Sequence, residues 1–425
     1  MPALLLAFAT VSIATTGFSL YLDARQRAYV ARHRDAVPAD FAATVSLPEH
    51  QKAADYQDAR LRLDAVSALF GLGVALAWAA FGYDLLYGGV AGAIGRGLTR
   101  SVAFVIAGGA VSALLNLPFA AWRTFRVEQR FGFNRTTPLR FAADRLKGAA
   151  LGLVLGVPLL YGLFWLMRFA SGPWWTYAWA GLMALMVGMT IAYPRWIAPL
   201  FNRFSPLDGP LRARVEALLR RCGFESSGLF VMDASKRSTH ANAYFTGFGR
   251  HKRIVLFDTL IAQNTEDELE AVLAHELGHY KLGHVVTGLL QTAAVLGAAL
   301  FAVGWLCKQP WLLPSFGIVH RDNALAVTVC VLVVEMVGPL VSLGANWLSR
   351  RHEYQADDFA RRMVGAAPMA SALLKLSREN ASTLTTDPLY ALFNFTHPPV
   401  PLRVRRLRES GVESALTSAT RPAPA

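Results

Sequence analysis

Apolar stretches with few or no charges alternate with polar, arginine-rich ones along the whole chain. A helix needs about 20 apolar residues to cross a bilayer. Residues 4–22, 66–87, 102–122, 148–167, 173–193, 285–307 and 324–348 approach that length, which predicts seven spans. A long polar region, 194–284, separates the fifth from the sixth. Within it, 210–222 places Leu211, Val215, Leu218 and Leu219 on one side of a helix. Residues 228–233 and 253–257 are β-branched and aromatic enough for short strands. Residues 265–282 read as a helix: Glu266, Asp267 and Glu268 suit its positive end, and Leu269, Val272 and Leu273 follow at helical spacing. The last polar region is partly helical to residue 410. Residues 411–425, rich in Pro, Ala, Thr and Ser, are expected to be disordered. The predicted units are therefore 1–193, 194–284, 285–348, 349–410 and 411–425, without an internal repeat.

Composition turns this pattern into a class. Of 425 residues, 54% are hydrophobic and only 17% charged, and the mean hydropathy is +0.33. This argues against a soluble chain. The net charge of +13 does not point to nucleic acid, because no basic face carries interleaved aromatics. Arginine and lysine stand between the spans instead. They crowd the loops after spans one, three, five and seven. The loops after two, four and six hold little beyond Arg96, Arg100, Arg168, Lys308 and Arg321. Basic residues stay on the cytoplasmic side, so the amino terminus is expected outside and the 194–284 region and the tail inside. Residues 4–22 lack a basic start and a small-residue cleavage site, and read as a retained first span. The cysteines, Cys222, Cys307 and Cys330, are far apart in sequence and show no metal or redox spacing.

The candidate chemistry centres on His275-Glu276-Leu277-Gly278-His279. Two histidines four apart on a helix point the same way and can hold one zinc ion. Glu276 is turned about 100° from His275, where a carboxylate can take a proton from the attacking water. A catalytic zinc needs a third protein ligand and an open position. Glu353, just past the seventh span, is the favoured candidate, with His284 and His352 as rivals. His284 lies about 140° off the ligand face and is set aside. On a helix, Asp357 follows Glu353 by one turn and can accept a ligand histidine's free N–H. Residues 237–247, including His240, Asn242 and Ala243, suggest an edge strand closed by Gly247. Such an edge can hold a peptide by strand addition. His397, before two prolines, could stabilise an oxyanion. Glu335 and Asn116 are polar groups inside spans, which usually face a partner or a wet cavity.

Several motifs then coincide with one family. Glu128 to Thr137, Pro199-Leu200-Phe201-Asn202, Ser238 to Gly247, His275 to His279, Glu353 to Asp357, and His397-Pro398-Pro399 with Arg403 occur in its order. The chain resembles the type I CaaX prenyl endopeptidases, integral-membrane zinc metalloproteases. The resemblance implies a predominantly α-helical fold: seven helices around an internal chamber, closed on the cytosolic side by a gluzincin-like domain with a small sheet. It implies one Zn2+ held by His275, His279 and Glu353, with Glu276 as general base and Asp357 behind a ligand histidine. Asn242 and Ala243 would hold the substrate backbone, near His240, and His397 and Arg403 would support the oxyanion. The implied partners are the lipid bilayer and a peptide or protein substrate, such as a prenylated CaaX protein. The short 308–323 connection, the lack of a retrieval signal and the Ala/Arg-rich composition lean towards a bacterial cytoplasmic membrane. Two other readings remain open: an HtpX-like membrane quality-control protease without a prenyl requirement, and a transporter or channel with structural zinc.

Overall fold

The computed structural model describes residues 3–170, 172–224, 228–246 and 253–419. Among the described residues six helices are long and apolar enough to span a membrane: α1 (Ala3–Arg32), α2 (Leu47–Ala93), α3 (Leu98–Glu128), α4 (Pro138–Phe169), α5 (Trp174–Leu200) and α9 (His284–Leu306). The predicted seventh span is a pair, α10 (Asn323–Glu335) and α11 (Gly338–Val364), bent by 56°. Pro339 stands in the first turn of α11. It has no N–H for the carbonyl four residues earlier, that of Glu335, so a continuous helix breaks there. The expected seventh span, 324–348, is thus a broken one.

Several helices run well past the bilayer-length stretches. The polar segment after the first span is largely helical, because the ends of α1 and α2 are tied by ion pairs. Arg27 Nε lies 2.7 Å from Asp58 Oδ1 and Arg34 Nε 2.8 Å from Asp55 Oδ1. At the other end of the molecule Asp322 accepts hydrogen bonds from Tyr87 and Ser101, at 2.9 and 2.8 Å. It thereby anchors the 307–322 connection to α2 and α3.

Packing is concentrated at two ends. One core includes Phe104, Phe164, Phe316 and Leu325, which close the far end of the bundle. The other, with Leu218, Leu256, Leu260, Leu273 and Leu277, lies under the polar region. Between them no more than 11% of any single span's most apolar window is buried, so little of the spans' length is packed into either core. Glu335 and Asn116 are exposed there rather than packed away.

The polar region contains α6 (Pro210–Arg221), α7 (Asp258–Gln263), α8 (Glu266–Lys281) and a four-stranded sheet. Its strands are β1 (Phe204–Pro206), β2 (Gly228–Met232), β3 (Ala243–Thr246) and β4 (Arg253–Phe257), in the order β1-β2-β4-β3. β2 and β4 are parallel, and β3 pairs antiparallel with β4 at the edge. The expected edge strand over 237–247 is therefore corrected to four residues. Residues 237–239 are taken by another segment: Arg135 N donates to Arg237 O at 3.0 Å and Thr239 N to Phe133 O at 3.3 Å. Gly247 lies outside the described residues.

After α11 come α12 (Ala366–Glu379), α13 (Pro388–Asn394) and α14 (Val400–Ala419). Residues 411–419, expected as disordered tail, continue α14, where Glu413, Ala415 and Leu416 favour a helix. The cysteines are free thiols, and two that are distant in sequence meet: Cys307 Sγ lies 3.8 Å from Cys330 Sγ.

Candidate active site

Helix α8 begins with a capping box. Thr265 accepts from the Glu268 N–H while Glu268 accepts from the Thr265 N–H. The Glu268 carboxylate also accepts from Lys375 at 2.8 Å and Ser371 at 2.7 Å, both on α12. Burial alone would raise this carboxyl, but these donors reverse the effect and bring it down to about 2. The start of the helix is thus fixed before its functional half is reached.

That half crosses α11 at close range. A Cβ on Gly278 would lie 3.1 Å from Ala356 Cα and 3.1 Å from Phe359 Cβ. The contact brings Glu353 onto the two histidines. His275 Nε2 and His279 Nε2 are 3.3 Å apart. Glu353 Oε2 is 3.4 Å from His275 Nε2, and Oε1 is 3.3 Å from His279 Nε2. Ligands at the usual zinc distances of 2.0–2.2 Å in a tetrahedron are about 3.3–3.5 Å apart, so the two ring nitrogens, and each of them with one oxygen of the Glu353 carboxylate, already stand at the spacing a zinc ion requires. Glu353 Oε2 is buried and accepts no hydrogen bond, which leaves its lone pairs free for a metal. Among the described residues this is the one group of His, Cys, Asp and Glu that converges so. A closed structural site would need a fourth.

The ring nitrogens on the far side are also held. His275 Nδ1 lies 2.9 Å from Asp357 Oδ1. Arg403 grips Asp357 with two donors, at 2.8 and 2.6 Å, and its Nη1 lies 3.2 Å from Glu353 Oε2. Arg403 and Asp357 are both buried, so Arg403 sits behind the ligands. The family resemblance implies a place for it among the groups that support an oxyanion. His279 Nδ1 meets His284 Nδ1 at 3.1 Å, and His284 Nε2 meets Gln355 Oε1 at 3.0 Å. His284 also stacks on His352, with ring centres 4.0 Å apart. Neither rival histidine belongs to the converging group.

Glu276 faces a cavity of about 520 Å3 shared with His279, Tyr244, Phe245, Tyr193 and Met189. Burial pushes its carboxyl above the ordinary range, and the nearby His275 and His279 only partly offset this. The edge strand β3 borders the same cavity. Asn242 is exposed just before it, and its carbonyl accepts from Phe257 N at 3.1 Å. Ala243 is buried. His240 is directed elsewhere: its ring stacks on Phe133 at 4.6 Å, and its Nδ1 lies 3.1 Å from Asn380 Oδ1. Its Nε2 is 3.5 Å from Glu128. His397 Nε2 lies 3.3 Å from Glu353 Oε1, and its exposed ring lines a cavity of about 370 Å3.

The sequence reading missed His284 and Gln355 as supports of His279, and Asn380 as a clamp on residues 240 and 241. Asn380 Oδ1 also accepts from Ala241 N at 3.2 Å. Motif residues without an assigned role prove to be braces. Arg237 binds Asp144 and donates to Asn202 at 3.0 Å, while Tyr56 donates to Glu128 at 2.7 Å.

Two family models match. The first, described as "CAAX prenyl protease N-terminal, five membrane helices", covers residues 26–203. The second, "Peptidase family M48", covers 207–410. A "CAAX prenyl protease 1 homolog" of Arabidopsis thaliana is 40% identical over 300 residues, 70% of each protein. "CAAX prenyl protease 1" of Saccharomyces cerevisiae is 34% identical over 332 residues, 73% of this chain and 72% of that protein. Among solved structures, the crystal structure of S. mikatae Ste24p superposes with a TM-score of 0.88 at 28% identity, covering 96% of this chain and 99% of the other.

Proposed function

Because the chain belongs to peptidase family M48 and to the CAAX prenyl protease 1 family, we propose that this membrane metallopeptidase uses zinc to cleave peptide bonds near a prenylated C-terminal cysteine. The observation that carries the chemistry is the convergence of three side chains, His275, His279 and Glu353, with each histidine Nε2 3.3–3.4 Å from the other or from a Glu353 carboxylate oxygen. It supports a site with an open position and speaks against a transporter or channel with structural zinc. Zinc, when bound, supplies Lewis acidity at the scissile carbonyl and lowers the pKa of water towards about 7.

The remaining steps belong to this chain's residues. The substrate backbone adds to the free edge of β3 beside Asn242 and Ala243, which sets the scissile bond across the Glu276 cavity. Glu276 takes the proton of the attacking water and passes it to the leaving amine. A carboxyl with a raised pKa suits that second transfer. His397, on the open side of Glu353, donates to the developing oxyanion. Asp357 and Arg403 keep His275 and Glu353 oriented from behind, and His240 braces the substrate strand through Asn380.

The named relatives are eukaryotic. The reading of a bacterial cytoplasmic membrane, with the metal domain on the cytosolic side, rests on the basic loops, the Ala/Arg-rich composition and the short 308–323 connection. An HtpX-like quality-control role differs in substrate only.

Cleavage of a farnesylated CaaX peptide by the detergent-purified protein tests the reading, beside the unprenylated peptide and Glu276→Gln. The expected result is cleavage that needs both the prenyl group and Glu276, with zinc still bound in the variant. Normal cleavage by Glu276→Gln would sink the mechanism. Cleavage indifferent to the prenyl group would transfer the enzyme to quality control.

A further inference from the structure

A cleft of about 970 Å3, whose lining includes none of His275, His279 and Glu353, lies between the end of α1, α11, α13 and the start of α14. On α11, the lining residues Trp347, Arg351 and Tyr354 are turned roughly 100–160° from Glu353. The charged lining is one-sided: Arg350, Arg351, Arg405 and Arg406 stand against the carboxylate of Asp40. Two of these arginines are braced. Arg350 donates to the carbonyls of Leu392 and Phe395 at 3.1 and 2.7 Å. Arg406 lies over the Tyr354 ring at 4.7 Å. The other two are available. Arg351 is exposed and makes no ion pair among the described residues. Arg405 meets Asp40 in a pair more than half exposed on both sides, an interaction of little strength that a better anion can displace.

The position along the span says which anion. Trp347 and Arg350 follow directly on the apolar part of α11, at the depth where a span leaves the hydrocarbon, and tryptophan favours that level. The mouth of the cleft is apolar and open: Trp347 is 58% exposed, Leu402 49% and Leu392 43%. Guanidinium groups bind phosphate in a two-pronged geometry. A free phosphate ion would leave the apolar mouth in water, whereas a lipid fills both parts. We propose that this cleft binds an anionic phospholipid of the surrounding leaflet. Its headgroup phosphate rests on Arg351 and Arg405, and its acyl chains lie against Trp347, Leu392 and Leu402.

The test uses the full chain in mixed micelles doped with phosphatidylglycerol or, as a neutral control, phosphatidylcholine of the same acyl chains. Thermal unfolding midpoints titrated against lipid give apparent affinities, so the readout does not depend on the proposed activity. The wild type should be stabilised by phosphatidylglycerol over phosphatidylcholine, less so at high salt. The double variant Arg351→Gln/Arg405→Gln should bind phosphatidylglycerol roughly 25-fold more weakly, about fivefold per arginine near an anionic surface. Its midpoint in phosphatidylcholine should be unchanged, which shows that it folds. Arg220→Gln, exposed on α6, should bind as the wild type does. Equal response to the two lipids overturns the proposal, and so does an Arg220→Gln loss as large as the double variant's. Stabilisation by inorganic phosphate alone, at the same concentration, overturns the lipid in favour of a free-anion pocket.

Discussion

A histidine that binds a metal through Nε2 keeps its proton on Nδ1, and a neighbour must accept it. His275 gives that proton to Asp357. His279 has no carboxylate behind it and meets His284 Nδ1 instead. With His279 as donor, His284 Nδ1 accepts, so the His284 proton stands on Nε2 and is donated to Gln355 Oε1. Gln355 is two residues from Glu353, so one helix supplies a ligand and steadies another. His284→Ala should therefore weaken zinc binding by about 10- to 100-fold, the usual cost of losing such a partner. Competition with a fluorescent chelator would measure it. His352→Ala, which removes only a stacked ring, should bind zinc normally. Unchanged affinity in His284→Ala would end this account. The sequence shows His284 but hides the role, because the rotation argument assumes one continuous helix. Gly283 has φ +75°, which ends α8 and lets His284 open the next helix facing back.

Between elements, the decisive contact is the crossing of α8 and α11. Helix propensity alone would favour alanine over Gly278 by about 1 kcal/mol. The crossing reverses the sign, since the added methyl meets the Ala356 backbone at 3.1 Å and overpacking costs about 1–3 kcal/mol. Gly278→Ala should lower the unfolding midpoint and weaken zinc binding together. A variant as stable as the wild type would show that the crossing yields. At the other end of α8, Glu268 is expected to stabilise by about 1–3 kcal/mol through its charged and neutral hydrogen bonds. Its carboxyl is depressed in the fold, so the contribution is complete above about 4.5 and fades as pH falls towards 2. The midpoint difference between wild type and Glu268→Gln should thus be large at pH 7 and shrink at pH 3. A constant difference would remove the ionised carboxylate from the explanation. The helix over 265–282 and the strands at 228–233 and 253–257 were legible because local pattern decides them. The edge strand was overextended because the backbone of 237–239 is claimed by residues 133–135, a pairing across a hundred positions that no local window contains.

At the scale of the whole molecule, apolar length made the spans legible, while the reach of the helices beyond them depends on ion pairs such as Arg27–Asp58. The break before Pro339 is invisible to hydropathy, since both halves are apolar. Orientation follows from charge rather than from packing. Residues 94–97, 170, 172–173 and 307–322, at the end far from the metal domain, include three basic residues, Arg96, Lys308 and Arg321. The opposite end carries the arginine-rich segments around 25–34 and 123–147 and the whole polar region. Basic loops resist transfer across the membrane during insertion, so the metal domain should stay in the cytosol. Single cysteines in a background without the native three would read this directly. Val319→Cys, at a position 77% exposed, should react with a membrane-impermeant maleimide in intact cells. Glu409→Cys, exposed on α14, should react only after permeabilisation. The reverse pattern would place the metal centre outside. The dense basic segments would then have crossed the bilayer while the nearly uncharged connections stayed behind, and the proposed substrates would have to be sought on the other side of the membrane.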